Sequence, residues 1–475
     1  MTAVSRPLPL RRPFGRRSPD RSPSSPRRVV QNIFIERNYQ FIPPIRSRWF
    51  PSLVNRLGFF PWYLRRTAGV RKCQVLHADR LLESVRAGHG VLVTPNHPTT
   101  LDPLLLSNLA HETGLLFYAM ASWHLFHGSW LERNCIRMMG GFSVYREGLD
   151  RQAIDMAIDT LAAAERPLVV FAEGTATRTN DRLSEMLDGI SFIARTAAKR
   201  RAKQEPAKRV VVHPIAIKYK FVGDMDKTVV PVLERLERRL TFRPMSSVDL
   251  VERLRRIGTA LLALKEIEYF GEPRQGRLRD RQAGLVERLM QPLEQEWLGR
   301  PQSGGIVTRV KNLRMKIFPE IARGEVDAAE RDRRFRHLAD TYLAQQVAFY
   351  PTGYLDSGVT IERIVETVHR FEEDMTDESP MLGPLDAIIE VLPAIDVEPG
   401  RDRGAESDPL MAKIGASLQE ALDRLALEGT PYRSGETPAP HRISEMSDAI
   451  PSFETRSSVA ERASQPSAAE ATTTD

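Results

Sequence analysis

Residues 74–220 alternate short apolar runs with amphipathic stretches, and few architectures accept that order. A helical pattern over 78–87 leads into Val91-Leu92-Val93. Phe117-Tyr118-Ala119-Met120 and Phe142-Ser143-Val144-Tyr145 read as further strands, the second prepared by Gly140-Gly141. Between 150 and 165, Ile154, Ala157, Ile158 and Leu161 recur at helical spacing, and this helix runs into Pro167 and the apolar strand Leu168 to Phe171. A helix near 184–198 and a strand from Val210 through Ile217 follow. Strands interleaved with helices in this way predict an α/β domain over 74–230, a mixed, largely buried sheet flanked by helices.

On either side the character changes. From 231 the sequence is charged and helix-forming, with one stripe at Leu250, Leu254, Ile257, Leu261 and Leu264. A second stripe, Met411, Ile414, Leu418, Leu422 and Leu425, is expected to stop at Gly429. Residues 231–429 therefore read as a mostly helical region of unassigned role. The Ser/Thr/Pro/Glu-rich segment 430–475 has too little apolar surface to order itself and reads as a disordered tail. Residues 1–28, rich in Arg, Pro and Ser and without the apolar run of a signal peptide, read as a disordered basic leader.

Residues 1–72 hold sixteen Lys and Arg against Asp20 and Glu36, a net of +14; the whole chain is +7, so the remainder carries −7. Positive charge gathered at one end suits an anionic surface. In 29–73 it is joined by Trp49, Phe50, Leu53, Val54, Leu57, Phe59, Phe60, Trp62, Tyr63 and Leu64, flanked by Arg48, Arg56, Arg65 and Arg66. Aromatics bracketed by arginines fit the headgroup zone of a bilayer, the plainer alternative being a core-docking segment. No stretch reaches the roughly 18–20 apolar residues needed to span; Gly114 to Phe126 comes nearest and contains His124. The two cysteines, Cys73 and Cys135, form no disulfide pattern and suit a reducing compartment. The expectation is a peripheral protein on the cytoplasmic side of a membrane, with anionic lipids as a partner and no nucleic acid.

Chemistry concentrates in Asn96-His97-Pro98-Thr99-Thr100-Leu101-Asp102-Pro103, directly after Val91-Leu92-Val93. Ligands gather at the carboxyl ends of strands in open α/β sheets. His97 and Asp102, five apart across a strand-to-helix turn, make a base and a carboxylate that fixes its tautomer. Such a base can take the proton of an attacking hydroxyl, so no serine or cysteine nucleophile is required. Phe171-Ala172-Glu173-Gly174-Thr175-Ala176-Thr177-Arg178 also follows an apolar strand and offers donors suited to an anion. His213 lies within a strand and reads as structural. His124 and His127 lack acidic or cysteine neighbours at ligand spacing, so no metal site is expected.

In order, these blocks resemble the glycerolipid acyltransferase family typified by lysophosphatidate (1-acylglycerol-3-phosphate) acyltransferases, over roughly residues 74–220. Asn96-His97 to Asp102 is similar to the family's NHxxxxD block (the HxxxxD motif), implying His97 as general base, Asp102 as its partner and Asn96 beside the substrate. Gly140 to Arg146 looks like the second block and implies that Arg146 contacts the acceptor phosphate. Phe171 to Arg178 is similar to the third, usually FPEGTRSR, implying acceptor-binding roles for Glu173, Gly174, Thr175 and Arg178. Val212-His213-Pro214-Ile215-Ala216-Ile217 looks like the fourth, near the acyl-donor channel. The implied donor is acyl-CoA or acyl-carrier protein, a substrate rather than a cofactor, and the implied acceptor is a lysophospholipid in phospholipid biosynthesis or remodelling. Ala172, Ala176 and Thr177 depart from the usual third block, and Ala176 stands where an arginine is usual. That leaves the acceptor open, and keeps a second reading: a catalytically weak or inactive lipid-binding or scaffolding protein on the same fold.

Overall fold

The apolar run at Val91-Leu92-Val93 forms a strand buried at every residue, and the sheet is arranged around it. The computed structural model describes residues 37–205, 207–376, 381–400 and 408–433. The leader 1–28 and the tail from 434 onward lie outside the described residues. The strands are β1 (Val70–Leu76), β2 (Gly90–Pro95), β3 (Tyr118–Ser122), β4 (Gly141–Val144), β5 (Leu168–Val169), β6 (Val210–Phe221), β7 (Leu385–Val391) and β8 (Ile395–Asp396).

The helices that bear on the site or its cover begin with α1 (Trp49–Arg56), α2 (Phe59–Thr67), α3 (Ala78–Arg86), α4 (Asp102–Leu105) and α5 (Ser107–Thr113). They continue with α6 (Trp130–Met138), α7 (Arg151–Ala163), α8 (Gly189–Gln204), α9 (Met225–Thr228), α10 (Val230–Arg239) and α11 (Leu250–Phe270). The last five are α12 (Leu278–Leu298), α13 (Ile306–Arg323), α14 (Ala328–Ala348), α15 (Ile361–Thr376) and α16 (Pro409–Ala426).

The strands lie in the order β1-β7-β6-β2-β5-β3-β4, with β8 beside β6. From β6 to β4 every neighbouring pair is parallel, whereas β7 and β8 run antiparallel to β6 and β1 runs parallel to β7. The sheet is therefore mixed, and strands buried on both faces read as the near-continuous apolar runs seen in the sequence. Gly90 shows how tightly the layers approach: a Cβ there would lie 2.1 Å from the Leu161 carbonyl oxygen of α7.

Residues 231–429 are mostly helical, but they do not stand apart from the sheet. α12, α13 and α14 enclose a core of their own around Leu285, Leu289, Leu313, Ile317, Phe335 and Leu338. The chain then returns: α15 packs Ile361, Ile364, Val368 and Phe371 onto one face, β7 enters the sheet between β1 and β6, and α16 covers the other face. β1 likewise begins at Val70, inside the segment read as membrane-interfacial. The expected stop at Gly429 comes late, since α16 ends at Ala426 and Gly429 is not among the positive-φ glycines. Residues 430–433 are held: Pro431 bridges Thr360, and the Tyr432 hydroxyl donates to Asp249 Oδ2 at 2.8 Å.

Ahead of β1, the chain from Tyr39 runs along β4, where Ser143 N donates to the Ile42 carbonyl. α1 and α2 follow, with Trp49, Leu53, Leu57, Phe59 and Trp62 exposed. Among the described residues, no helix is long and apolar enough to cross a membrane.

Candidate active site

β2 ends at Pro95, and the chain turns through Asn96 to Leu101 before Asp102 opens α4. The turn brings His97 Nδ1 to 2.7 Å from Asp102 Oδ2. Asp102 is fully buried, while the His97 side chain keeps 15% of its surface exposed. A carboxylate has no proton to give, so Nδ1 carries the hydrogen and the lone pair sits on Nε2. Asp102 is held by further donors: Thr99 N at 2.9 Å on Oδ2, and on Oδ1 the Thr99 hydroxyl at 3.0 Å and the Tyr219 hydroxyl at 2.7 Å. The imidazole packs on Phe171, ring centroids 4.2 Å apart. The arrangement is a fixed base with a buried anionic partner.

The Glu173 loop, which follows β5, braces this turn. Glu173 Oε1 accepts His97 N and Oε2 accepts Ser184 N, both at 2.7 Å. Burial pushes its carboxyl up to about 7, against those two amides, which pull it down. Thr177 N donates to the His97 carbonyl at 2.8 Å. Gly174 has φ +68°, a conformation that favours glycine, and a Cβ there would also displace Leu187 Cδ1, 2.7 Å away. Thr175 is half-buried on the same loop.

Two residues expected at the substrate are used elsewhere. Asn96 is buried, and its amide clamps β2 to β6: Oδ1 accepts Ile217 N at 2.7 Å and Nδ2 donates to the Ile217 carbonyl at 3.0 Å. Glu173, as above, joins two backbone segments rather than facing an open space. Both hold the His97 turn in place. Arg178, with φ +58°, donates to the Ala176 carbonyl at 2.9 Å and forms a two-pronged ion pair with Glu373 of α15. Arg146 follows β4, three strands along from β2 on the same edge, in the company of Glu147 and of Arg314 on α13. Burial and the neighbouring Arg146 push the Arg314 guanidinium down to about 10, so it stays cationic near neutrality. His213 is buried and satisfied by Ser84 Oγ at 2.8 Å and the Leu392 carbonyl at 3.0 Å, a structural histidine.

Residues 78–218, which carry both loops, match the family model described as Acyltransferase. This is an acyltransferase domain. No curated protein matches the chain. Acyl transfer is the chemistry of the matched domain, and the His97–Asp102 pair lies inside it. Tyr219 lies one residue beyond the match, and Arg314 and Glu373 lie far beyond it.

Sequence reasoning missed those three. An aromatic in a buried strand reads as core, so Tyr219 gave no signal. Glu373 belongs to the acidic run Glu372-Glu373-Asp374, which reads as a solvated helix face. Tyr219→Phe is expected to cost about 1.5–3 kcal/mol, the range for a hydrogen bond to a charged group. Denaturant midpoints would show it, together with a lower kcat and an unchanged acceptor KM. A midpoint equal to wild type would mean that Thr99 alone holds Oδ1.

Proposed function

We propose that the protein transfers a fatty acyl group from acyl-CoA or acyl-carrier protein to the hydroxyl of a lysophospholipid such as 1-acylglycerol-3-phosphate, in phospholipid biosynthesis or remodelling. The observation that carries this reading is the His97–Asp102 pair at 2.7 Å, at the end of a parallel strand. His97 Nε2 takes the acceptor's hydroxyl proton as its oxygen attacks the thioester carbonyl. Asp102 stabilises the imidazolium while the tetrahedral intermediate forms. Collapse breaks the carbon–sulfur bond, and the imidazolium returns its proton to the leaving thiolate. Products are the ester and the free thiol. Val365, Leu382 and Leu385, which line a cavity with Pro98 and Thr99, offer an apolar wall for the acyl chain.

Arg146, with Arg314 behind it, is the cation we assign to the acceptor's phosphate. Arg178 is a weaker candidate while Glu373 holds it. Glu373→Gln removes that charge, and it is expected to lower KM for 1-acylglycerol-3-phosphate by about tenfold or more, one charge-assisted bond's worth. KM for a neutral monoacylglycerol should not move, and equal KM shifts for both acceptors would rule the role out.

We place the protein on the cytoplasmic side of a membrane as a peripheral protein, with anionic lipids as its partner. The exposed Phe59 and Trp62 of α2, beside the exposed Arg65 and Arg66, support this. The scaffold reading draws on one observation, the occupation of Arg178 by Glu373 beside Ala176. The deciding experiment offers purified protein labelled acyl-CoA with a panel of lysolipids and monoacylglycerol. Acylated product with equimolar free thiol supports transfer. Intact thioester with every acceptor, alongside binding to lipid vesicles, favours the scaffold.

A further inference from the structure

Because β2, β5, β3 and β4 run parallel, the connections leaving their carboxyl ends all emerge on the edge that carries His97. Two of them, after β3 and after β4, present large apolar side chains to solvent. Leu125 in the turn of 3-10 helix Trp123–His127 is 47% exposed, Trp130 and Leu131 in the first turn of α6 are 73% and 63%, and Leu149 ahead of α7 is 66%. Isolated exposed hydrophobics are ordinary; four on two adjoining connections are not.

These side chains stand on a built frame. Ser129 and Glu132 form a reciprocal capping box, Glu132 N donating to Ser129 Oγ at 3.2 Å and Ser129 N donating to Glu132 Oε2 at 2.7 Å, which fixes Trp130 and Leu131 on an ordered turn. Beneath them, Tyr39 stacks on Tyr145 at 4.8 Å and meets Trp123 edge-on at 5.3 Å. Asp150 accepts Tyr145 N at 2.9 Å and Ala153 N at 3.0 Å.

Outward charge around the rim is mostly positive, with Asp155 the exposed acid one turn along α7 from Arg151. Arg37, Arg133 and Arg151 are exposed. The other neighbouring acids point their charge inward: Glu132 closes the capping box, Asp150 caps α7, and Glu147 lies beside Arg146 and Arg314. The α1 surface is a different place. Its Arg48 and Ser52 line a cavity with Gly114–Leu116 and Ala164–Pro167, which precede β3 and β5 and so mark the opposite edge.

We propose that the rim formed by Leu125, Trp130, Leu131 and Leu149, ringed by Arg37, Arg133 and Arg151, docks into an anionic lipid surface and turns the catalytic edge toward the bilayer. Apolar side chains enter the acyl boundary while guanidiniums meet headgroup phosphates. An acceptor would then reach His97 from the lipid itself. That route rests on the acyl-transfer reading, whereas the docking does not.

The test uses the full chain and vesicles of phosphatidylcholine with and without phosphatidylserine. Leu125→Ser/Trp130→Ser/Leu131→Ser is compared with Trp49→Ser/Leu53→Ser/Leu57→Ser, circular dichroism and thermal melting confirming that both fold. The rim variant is expected to lose at least about tenfold in partitioning onto anionic vesicles, and wild-type binding should weaken with added salt. Wild-type partitioning by the rim variant, with loss confined to the α1 variant, would overturn the proposal. So would a lipid-free dimer of the wild type that the rim substitutions dissociate, since the rim would then seat a second copy. Sedimentation reads binding without turnover. A wild type that binds through the rim but acylates nothing would therefore defeat the transfer reading and leave the docking standing.

Discussion

Asp102→Asn is expected to lower kcat by about 10²–10⁴-fold while leaving stability and acceptor KM close to wild type. The reason lies in which donors can turn. Asp102 Oδ2 accepts His97 Nδ1 and Thr99 N, the second a rigid backbone donor, whereas Oδ1 accepts the rotatable hydroxyls of Thr99 and Tyr219. An asparagine can therefore keep its oxygen at the Oδ2 position and donate its amide hydrogens to hydroxyls that swing round to accept. Geometry and tautomer survive. The charge that stabilises the imidazolium does not, and the loss falls on the transition state. Steady-state kinetics with one acyl-CoA and one acceptor would check this. A kcat within about threefold of wild type would mean that the carboxylate only orients the ring.

Asp181→Ala is expected to destabilise the fold by about 3–5 kcal/mol, read from denaturant midpoints. Asp181 and Lys218 form an ion pair with side chains 1% and 0% exposed, and Arg363 Nε of α15 lies 2.9 Å from the other carboxylate oxygen. Removing the carboxylate leaves an ammonium and a guanidinium facing each other away from water. Glu366 softens the blow. Burial and the nearby Asp181 push its carboxyl up to about 8, and without Asp181 it can ionise more readily and take over part of the pairing. The lower end of the range is therefore favoured, and Asp181→Ala/Glu366→Gln should lose more than the two single changes together. A single-variant loss under about 1 kcal/mol would mean that water reaches Lys218.

That buried pair also marks where sequence reading stops. Alternating apolar runs were enough to expect an α/β sheet, because strands covered on both faces must be apolar throughout, and β2, β3, β4, β5 and β6 lie within a few residues of their expected places. β6 runs on to Phe221, past the expected end at Ile217, because Lys218 and Lys220 find Asp181 and Glu428 as partners. A lysine in a strand reads as a boundary until its distant carboxylate is known. β7 is inserted into the sheet between β1 and β6 although Leu385 is far in sequence from Val70 and Phe221, the residues it pairs beside. Local periodicity carries no trace of that closure.

At the site, the same division holds. His97 and Asp102 were legible because five residues of chain must bring them together across a strand-to-helix turn. Asn96 was not: a polar residue beside a catalytic one looks like a ligand contact, and only the neighbouring β6 backbone shows its amide to be a clamp. Arg178 followed the family pattern, yet its guanidinium is engaged by a helix nearly two hundred residues on. The helical region is therefore packed against both of these segments, bringing Arg314 beside Arg146 and Glu373 onto Arg178.

The most direct measurement is mass spectrometry of the lipids formed when wild type and His97→Ala are each incubated with acyl-CoA, 1-acylglycerol-3-phosphate and other lysolipids. Wild type should convert at least one acceptor to its acylated product, and His97→Ala should lower that rate by about 10²–10⁴-fold with the acceptor still bound. Equal product from both proteins would contradict a mechanism in which His97 takes the acceptor's proton.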